Sequence, residues 1–255
     1  MMLNSTMPEA IILCGGAGLR LRSVTGTTPK SLASIADRPF LDLLLRQLQR
    51  HGVRRTVLAA GYRSEAIREY LADRAFGMEM AYSVESSPLG TGGAIAHAFT
   101  LVESEAPLVL NGDSYTGADL TRFVAEHSQA HADASMVIVP LDGRVDCGSV
   151  VVDSSYKIAQ FEEKQSGIAS AYANAGIYLL NRKLFHAVSA TTQVSLEREL
   201  LPRWLAEGRG LRAFVHDGPC IDIGTPERYQ SAQAALAAVE AGDDSSLIAT
   251  AKERA

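Results

Sequence analysis

The hydrophobic positions of this chain follow two spacings that alternate along its first half. Short apolar runs at Ala10–Leu13 and at residues 56–60 are typical of buried strands, whereas Phe40–Arg50 has apolar side chains at helical spacing. His51-Gly52 follows that helix, and glycine commonly ends helices. The same criteria predict further strands at residues 78–84, 108–110 and 135–139, and further helices at residues 64–71, 91–100 and 120–131.

The alternation of strands and helices ends at Gly148, after which the predicted strands follow one another with little helix between them. We expect strands at Ser149–Val152, 158–161 and 171–180, then a helix at 196–207, strands at Leu211–Val215 and 220–223, and a closing helix at Pro226–Glu240. The whole pattern predicts an α/β fold, a doubly wound, Rossmann-like three-layer sandwich with a mixed, mostly parallel sheet. We expect a single domain over residues 1–240 and a polar tail at 241–255.

Ligands of doubly wound sheets bind beyond the carboxyl ends of the strands, so the loops there carry the candidate chemistry. The first such loop, LCGGAGLRLR, contains Gly15, Gly16 and Gly18, whose backbone N–H groups can approach an anion closely. Arg20 adds a forked positive charge, and Lys30 follows in TTPKSL. The loop lacks the third glycine of GxGxxG and the lysine of Walker A. A phosphate-binding loop and an ordinary glycine-rich turn both fit this pattern.

Three further acidic residues follow predicted strands. Glu85 comes just before Gly90-Thr91, which opens a helix that can hold an anion or a base; the alternative is a turn with Thr91 as the N-cap. Asp113 and Asp222 end two other strands. Two carboxylates at one sheet edge suit Mg²⁺, which keeps phosphate oxygens and waters as its other ligands. The alternative for each aspartate is a turn or helix cap.

The strand that ends in Phe161-Glu162-Glu163-Lys164 is followed by Asn174. Glu163 and Asn174 can hydrogen-bond sugar hydroxyls and Lys164 can neutralise a phosphate, although a solvated, charged strand end also fits. His127 and His131 are four residues apart on a predicted helix without a HExxH pattern. We therefore expect these histidines on a solvated helix face rather than at a metal.

Composition narrows the classes of partner. The formal net charge is −5 and the basic residues form no runs, which argues against nucleic acid. The three cysteines have no CxxC spacing, which favours a reducing compartment over a disulfide framework or a zinc site. No apolar run approaches the roughly 20 residues that span a bilayer, and the first residues lack the order of a signal peptide. We expect a cytoplasmic protein without a membrane partner.

Taken in order, these motifs resemble those of the sugar-phosphate nucleotidyltransferase family. The matching segments are GGAGLRL at 15–21, PK at 29–30, Glu85 with PLGTGGA at 88–94, GD at 112–113, FEEK at 161–164, NAGIY at 174–178 and DIGTP at 222–226. The resemblance covers about residues 9 to 238. Leu19 departs from the pattern, because threonine is usual there and its hydroxyl would lie near the triphosphate.

The resemblance implies attack by a sugar 1-phosphate on the α-phosphorus of a nucleoside triphosphate, with loss of pyrophosphate and help from Mg²⁺. It implies Asp113 and Asp222 as metal ligands, and Arg20, Lys30 and Asp113 as catalytic residues. The implied nucleotide-binding residues, in a half at about 9–140, are Leu13, Gly15, Gly16, Gly18, Arg20, Lys30, Glu85, Gly90 and Thr91. The implied sugar-phosphate-binding residues, in a half at about 141–240, are Gly148, Glu163, Lys164 and Asn174.

Within the family, the chain looks most like the guanylyltransferases of D-glycero-D-manno-heptose 1-phosphate. The alternatives are transfer to MurNAc, mannose or glucose 1-phosphate, with a uridylyl, guanylyl or thymidylyl group respectively. A non-catalytic regulator that binds nucleotide sugars is the alternative of another class. An NAD-dependent dehydrogenase is disfavoured because Ala59-Ala60-Gly61 ends the second strand without an acid. The resemblance also implies a homodimer or a higher homo-oligomer.

Overall fold

The computed structural model describes residues 6–16, 18–35, 37–74, 76–141, 147–163 and 170–240. Lys164, for which the sequence predicts a contact with the sugar phosphate, lies outside these residues, as does the predicted tail at 241–255.

The strands follow the predicted runs closely, with added short pairs. In chain order, β1 to β13 are Ala10–Leu13, Ser34–Ile35, Arg38–Pro39, Arg55–Ala60, Glu79–Val84, Leu108–Asn111, Ser114–Thr116, Ala134–Pro140, Ser149–Val152, Ile158–Glu162, Tyr172–Leu180, Leu211–Val215 and Cys220–Asp222. Every strand predicted from the apolar runs is present to within two residues at each end. Strands β2, β3 and β7 have no counterpart in the prediction, because residues 34–39 and 114–116 are too short to show a period.

The predicted helices are likewise present, and the structure adds a four-residue helix at Arg22–Thr25. In chain order, α1 to α7 are Arg22–Thr25, Phe40–Arg50, Ser64–Ala72, Gly90–Ala98, Leu120–Gln129, Leu201–Ala206 and Pro226–Glu240. Short 3₁₀ turns lie at Leu19–Leu21, Lys30–Leu32, Phe99–Leu101 and Arg182–Phe185. The helix predicted at 196–207 begins as a π-helical turn at Leu196–Leu200 and continues as α6, near the start of which Pro202 lies. Proline cannot donate a backbone hydrogen bond, so the helix does not run there as one regular α-helix.

The central sheet combines a parallel half with an antiparallel half. Its strand order is β10-β9-β11-β6-β1-β4-β5, with β8 joining β11 and β12. Strand β1 is parallel to β4 and β6, so that Leu13 lies beside Ala59 and Asn111. The long strand β11 is antiparallel to β6, β8 and β9. The mixed sheet with flanking helices confirms the predicted α/β fold, including its antiparallel extension.

Two hydrophobic clusters cover the two faces of this sheet. In β1, Ala10 and Ile12 belong to one cluster and Ile11 to the other, and all three are fully buried. A central parallel strand is apolar on both faces for this reason. Leu44 of α2 packs into the first cluster, and Trp204 of α6 into the second. The arrangement is the predicted three-layer sandwich, and it directs the carboxyl ends of β1, β4, β5 and β6 to one edge.

The expectation for His127 is wrong. Helix α5 ends at Gln129, His131 adopts a left-handed conformation with φ of 47°, and His127 is only 8% exposed. Its Nδ1 lies 2.8 Å from Ser135 Oγ on β8. The helix can bury this histidine against the sheet because the Ser135 hydroxyl gives its Nδ1 atom a hydrogen-bond partner.

Among the described residues, no helix is long and apolar enough to cross a membrane.

Candidate active site

Two cavities meet at the carboxyl end of β6. The larger cavity has a volume of about 660 Å³ and lies over the ends of β1, β4 and β5. The smaller cavity, of about 350 Å³, lies beside β9, β11 and β13. Asn111 and Asp113 line both cavities. The Asp113 side chain can therefore contact a ligand in each of the two cavities at the same time.

The structure gathers the predicted site residues around these cavities. The predicted residues lining the larger cavity are Leu13, Gly15, Gly16, Lys30, Glu85, Gly90, Thr91 and Asp113. Those lining the smaller cavity are Arg20, Asp113, Gly148, Glu163, Asn174 and Asp222. Arg20 thus lies with the two aspartates rather than among the other predicted nucleotide-binding residues. Gly18, within the described part of the chain, lines neither cavity.

Glycines of two loops, one after β1 and one after β4, make room for Glu85. A Cβ atom at Gly15 would lie 2.8 Å from Glu85 Oε1, and one at Gly61 would lie 2.5 Å from the same oxygen. Glu85 Oε2 accepts a hydrogen bond of 3.1 Å from the Leu89 N–H. Burial raises the pKa of Glu85, although the Leu89 amide opposes this effect. Because Gly15 and Gly61 have no side chains, the Glu85 carboxyl group can pack against their backbone at the floor of the larger cavity.

The start of α4 is closed by a distant segment. Gly92 and Gly93 donate their N–H groups to the Val194 carbonyl at 2.9 and 3.2 Å. Gly90 has a φ of 68°, and a Cβ there would lie 2.6 Å from Val194 O. The N–H groups of Gly92 and Gly93, which could otherwise bind an anion, are thus hydrogen-bonded within the protein. Thr91 is not the N-cap, because Leu89 has that position.

Pairing of β7 with β13 brings the two aspartates together. Asp222 lies opposite Ser114, the neighbour of Asp113, and the Ile223 N–H donates to the Asp113 carbonyl at 3.0 Å. Both aspartate side chains are about one-third exposed, at 36% and 33%. They face the same smaller cavity, so the predicted metal ligands are neighbours in space although they are 109 positions apart in the chain.

Each of these carboxylates is neutralised by a basic side chain. Lys30 Nζ donates to Asp113 Oδ2, and Arg228 Nη1 donates to Asp222 Oδ1 at 3.1 Å. The Gly224 N–H also donates to Asp222 Oδ1, and a Cβ at Gly224 would lie 2.6 Å from that oxygen. The close approach of the backbone therefore requires glycine in the DIGTP segment.

The donor set fits Mg²⁺. This ion is usually held by one or two carboxylates together with waters and substrate phosphates, and Asp113 and Asp222 supply two partly exposed carboxylates. Asn111 Oδ1, at the junction of the cavities, makes no hydrogen bond within the described residues. Over those residues, no cluster of three or more His, Cys, Asp or Glu side chains forms a complete cage. The site thus suits an ion that shares its coordination with a phosphate ligand.

Close packing shapes the smaller cavity. A Cβ at Gly148 would lie 2.9 Å from Phe161 Cζ and 3.0 Å from Glu163 Oε2, so a side chain there would displace both. The Asn174 N–H donates to the Gly148 carbonyl at 2.8 Å. These contacts hold three predicted sugar-binding residues at one wall: Gly148 just before β9, Glu163 just after β10, and Asn174 in β11.

Sequence reasoning missed Asn111, Glu197 and Arg228, all of which line the smaller cavity. Asn111 stands two residues before Asp113, and Arg228 two residues after Pro226, so both could have been found by extending the motifs. No local signal marks Glu197, because SLEREL is an ordinary helix start. Cys14 is buried in the first hydrophobic cluster, and this burial raises the pKa of its thiol to about 12.

Comparison with known proteins identifies the family of this chain. The sequence profile of the family described as Nucleotidyl transferase matches residues 9–239. A D-glycero-alpha-D-manno-heptose 1-phosphate guanylyltransferase of Aneurinibacillus thermoaerophilus is 36% identical over 228 residues, covering 89% of this chain and 98% of that protein. A mannose-1-phosphate guanylyltransferase of Mycobacterium tuberculosis is 32% identical over 89% of this chain and 64% of its own length.

Among solved structures, HddC from Yersinia pseudotuberculosis complexed with GMP-PN superposes with a TM-score of 0.79. It is 31% identical, and the match covers 90% of this chain and all of that one. The profile match, the identity over nearly the whole chain and the shared fold agree with each other. The chain belongs to the nucleotidyl transferase family.

Proposed function

We propose that this protein transfers a guanylyl group from GTP to D-glycero-α-D-manno-heptose 1-phosphate and releases pyrophosphate. The observation that carries the proposal is the position of Asp113, which lines both cavities where they meet. A transfer between two ligands needs them side by side with their charges neutralised at the junction. Relatives named as heptose 1-phosphate guanylyltransferases, at 36% identity, support the choice of base and sugar.

The larger cavity is assigned to the nucleotide. Glu85 accepts hydrogen bonds from the guanine N1–H and 2-amino group, because an ionised carboxylate offers acceptors only. Lys30 holds the triphosphate, and the backbone at Gly15 and Gly16 lets its oxygens approach closely. Arg20 lines the smaller cavity with Asp113 and Asp222, and its positive charge can neutralise the departing pyrophosphate.

The smaller cavity is assigned to the sugar phosphate. Gly148, Glu163 and Asn174 contact sugar hydroxyls, and Lys164 holds the sugar's phosphate. Asp113 and Asp222 would hold Mg²⁺, which, when bound, supplies charge neutralisation for the two reacting phosphates. The chain needs no general base, because the phosphate nucleophile is already ionised. A cytoplasmic location and a homodimer or higher oligomer stay predictions of the sequence.

Pyrophosphate release tests this proposal. The protein is incubated with each of GTP, ATP, UTP and dTTP against heptose, mannose, glucose and MurNAc 1-phosphates, and kcat/KM is measured for each pair. We expect the highest value for GTP with the heptose 1-phosphate. Mannose 1-phosphate is the second candidate, because of the relatives at 32–33% identity. A preference for UTP or dTTP would overturn guanylyl transfer, and no turnover with any pair would indicate a binding protein.

A further inference from the structure

We propose that Glu197 is a positioning residue, which orients Asn174 in the smaller cavity and ties it to Thr91 in the larger one. The inference rests on the proposed function, since it assigns the sugar 1-phosphate to the smaller cavity. Glu197 belongs to the π-helical turn at Leu196–Leu200 and lines that cavity. It is 106 positions away in the chain from Thr91, which lines the larger cavity.

The Glu197 carboxylate accepts hydrogen bonds from hydroxyls on both sides. Thr91 Oγ1 donates to Oε2 at 2.6 Å, and the Tyr178 hydroxyl donates to Oε1 at 3.3 Å. Ser195 Oγ, on the same turn, lies 3.3 Å from Oε2. A carboxylate is the side chain suited to this place, because each of its two oxygens accepts and neither donates.

Tyr178 passes this constraint to Asn174. The tyrosine is fully buried, and its hydroxyl oxygen accepts a hydrogen bond of 2.7 Å from Asn174 Nδ2. It can do so because its own hydrogen is directed at Glu197. The Asn174 Oδ1 atom accepts a hydrogen bond of 3.0 Å from the Gly176 N–H. Asn174 therefore keeps one amide orientation and has a second N–H with which to donate to a sugar hydroxyl.

Thr91 is oriented by the same network at its other end. Its hydroxyl oxygen accepts the Leu196 N–H at 2.8 Å, so its hydrogen is directed at Glu197. The side chains thus form one continuous chain of hydrogen bonds, in the order Thr91, Glu197, Tyr178, Asn174. The carboxylate is its central acceptor, and both neighbouring hydroxyls depend on that acceptor.

A glutamine at position 197 cannot replace the carboxylate, because its single carbonyl oxygen serves one hydroxyl fully and its NH₂ group is a donor. A buried tyrosine hydroxyl left without an acceptor is unfavourable, and it would turn toward Asn174 Oδ1. Asn174 would then rotate its amide and present an acceptor where the wild type presents a donor. The glutamine carbonyl oxygen can keep the shorter of the two bonds, from Thr91 Oγ1 at 2.6 Å, so binding of the nucleotide should change little. Binding of the sugar 1-phosphate should suffer.

The test compares Glu197→Gln, Tyr178→Phe and the double variant with the wild type in steady-state kinetics. For each single variant we expect the KM of the heptose 1-phosphate to rise about tenfold, which is the effect expected from the loss of one well-placed hydrogen bond. The KM of GTP should change by less than about threefold. The double variant should be no worse than the worse single variant, because both substitutions break the same chain of hydrogen bonds.

Glu199→Gln is the matched control, since it makes the same chemical change on the same turn. Glu199 is exposed, and its carboxylate accepts the Ser195 N–H, a contact that glutamine can retain. We expect wild-type KM values for this control. Effects of the two single substitutions that multiply in the double variant, or an equal rise in the KM of both substrates, would overturn the inference.

The same measurements separate this inference from the proposed function. If the wild type prefers mannose 1-phosphate or another triphosphate, the KM of that preferred pair is followed instead. The proposed substrates are then corrected while the positioning role is tested as before. A fall in melting temperature with unchanged KM values would show a purely structural role and overturn the inference. A wild type inactive with every pair overturns both.

Discussion

Lys30 and Asp113 form an ion pair at the boundary between the two cavities, with Lys30 Nζ donating to Asp113 Oδ2. Arg228 and Asp222 form a second pair close by, at 3.1 Å. Before any ligand arrives, the protein thus neutralises with its own side chains both carboxylates that we assign to the metal. A cation and a triphosphate arriving together can exchange partners with these pairs, since phosphate oxygens attract the lysine as the metal takes the carboxylate.

The lysine should therefore compete with the metal. We expect Lys30→Met to strengthen Mn²⁺ binding by the nucleotide-free protein at least threefold, because it removes the cation that occupies Asp113. The same substitution should weaken GTP binding about tenfold or more. Mn²⁺ affinity is measured by electron paramagnetic resonance, and GTP affinity by calorimetry. Lys157→Met, on an exposed position, is the control. Weaker Mn²⁺ binding by Lys30→Met would contradict this competition.

The two aspartates should be needed for turnover. Asp113→Asn and Asp222→Asn should each lower kcat at least ~10²-fold, because each removes a charged ligand at a preorganised phosphoryl centre. Turnover is measured by pyrophosphate release at saturating Mg²⁺. Asp217→Asn makes the same change on an exposed loop residue and should leave kcat within about twofold. Near-normal rates for both site variants would refute the metal assignment.

Substitutions of the two predicted phosphate-binding lysines should affect different substrates. Lys30→Ala should lower kcat/KM for the triphosphate more than for the sugar phosphate, because Lys30 lines the larger cavity. Lys164→Ala should have the reverse effect, since its motif matches the sugar-phosphate side of the family. Both constants are measured with the other substrate saturating. Equal losses on both substrates for each variant would remove this division of roles.

Glu85 should set the preference for the base. A good bidentate contact is worth about 1–3 kcal/mol, or roughly ten- to a hundredfold. We expect GTP to be preferred over UTP, dTTP and ATP by that factor, and Glu85→Gln to erode it. Competition assays with all four triphosphates measure the preference. Glu69→Gln, on the exposed face of α3, should retain it. An unchanged ranking in Glu85→Gln would exclude Glu85 as the base-reading residue.

His127 should make stability depend on pH. Burial lowers the pKa of this histidine to about 4, whereas in the unfolded chain it is about 6.5. Between those values the unfolded state binds the proton and the folded state does not. The free energy of unfolding should therefore fall as pH drops from about 6.5 toward 4, by roughly 3 kcal/mol for this group.

Urea unfolding at pH 7.5, 6.5, 5.5 and 4.5 measures this dependence. His127→Gln should be less stable than the wild type at pH 7.5 and should lose a smaller part of its stability on acidification. His131→Gln changes an exposed histidine two residues beyond the end of α5 and is the control. Parallel pH profiles for the wild type and His127→Gln would show that this histidine does not carry the effect.

Local pattern was enough to predict most elements and the loops that carry the site. Phe40–Arg50, Ser149–Val152 and Leu211–Val215 were predicted at their observed bounds, because burial on one or two faces leaves a period in the sequence. Gly15 was predicted to let the backbone approach a bound anion, and Gly224 belongs to the matching DIGTP segment. The structure adds that a Cβ at either position would lie within 3 Å of a carboxylate of the protein itself.

Other features arise between segments far apart in the chain, and tertiary packing decided them. The pairing of β7 with β13, the burial of His127 against Ser135 and the position of Arg20 beside the aspartates have no local signal. Glu197 is the clearest case. The sequence of its turn resembles that of an ordinary helix start, and its hydrogen-bond partners are the distant Thr91 and Tyr178. A hydrogen bond between residues 106 positions apart depends on where folding brings both side chains, and neither segment alone contains that information.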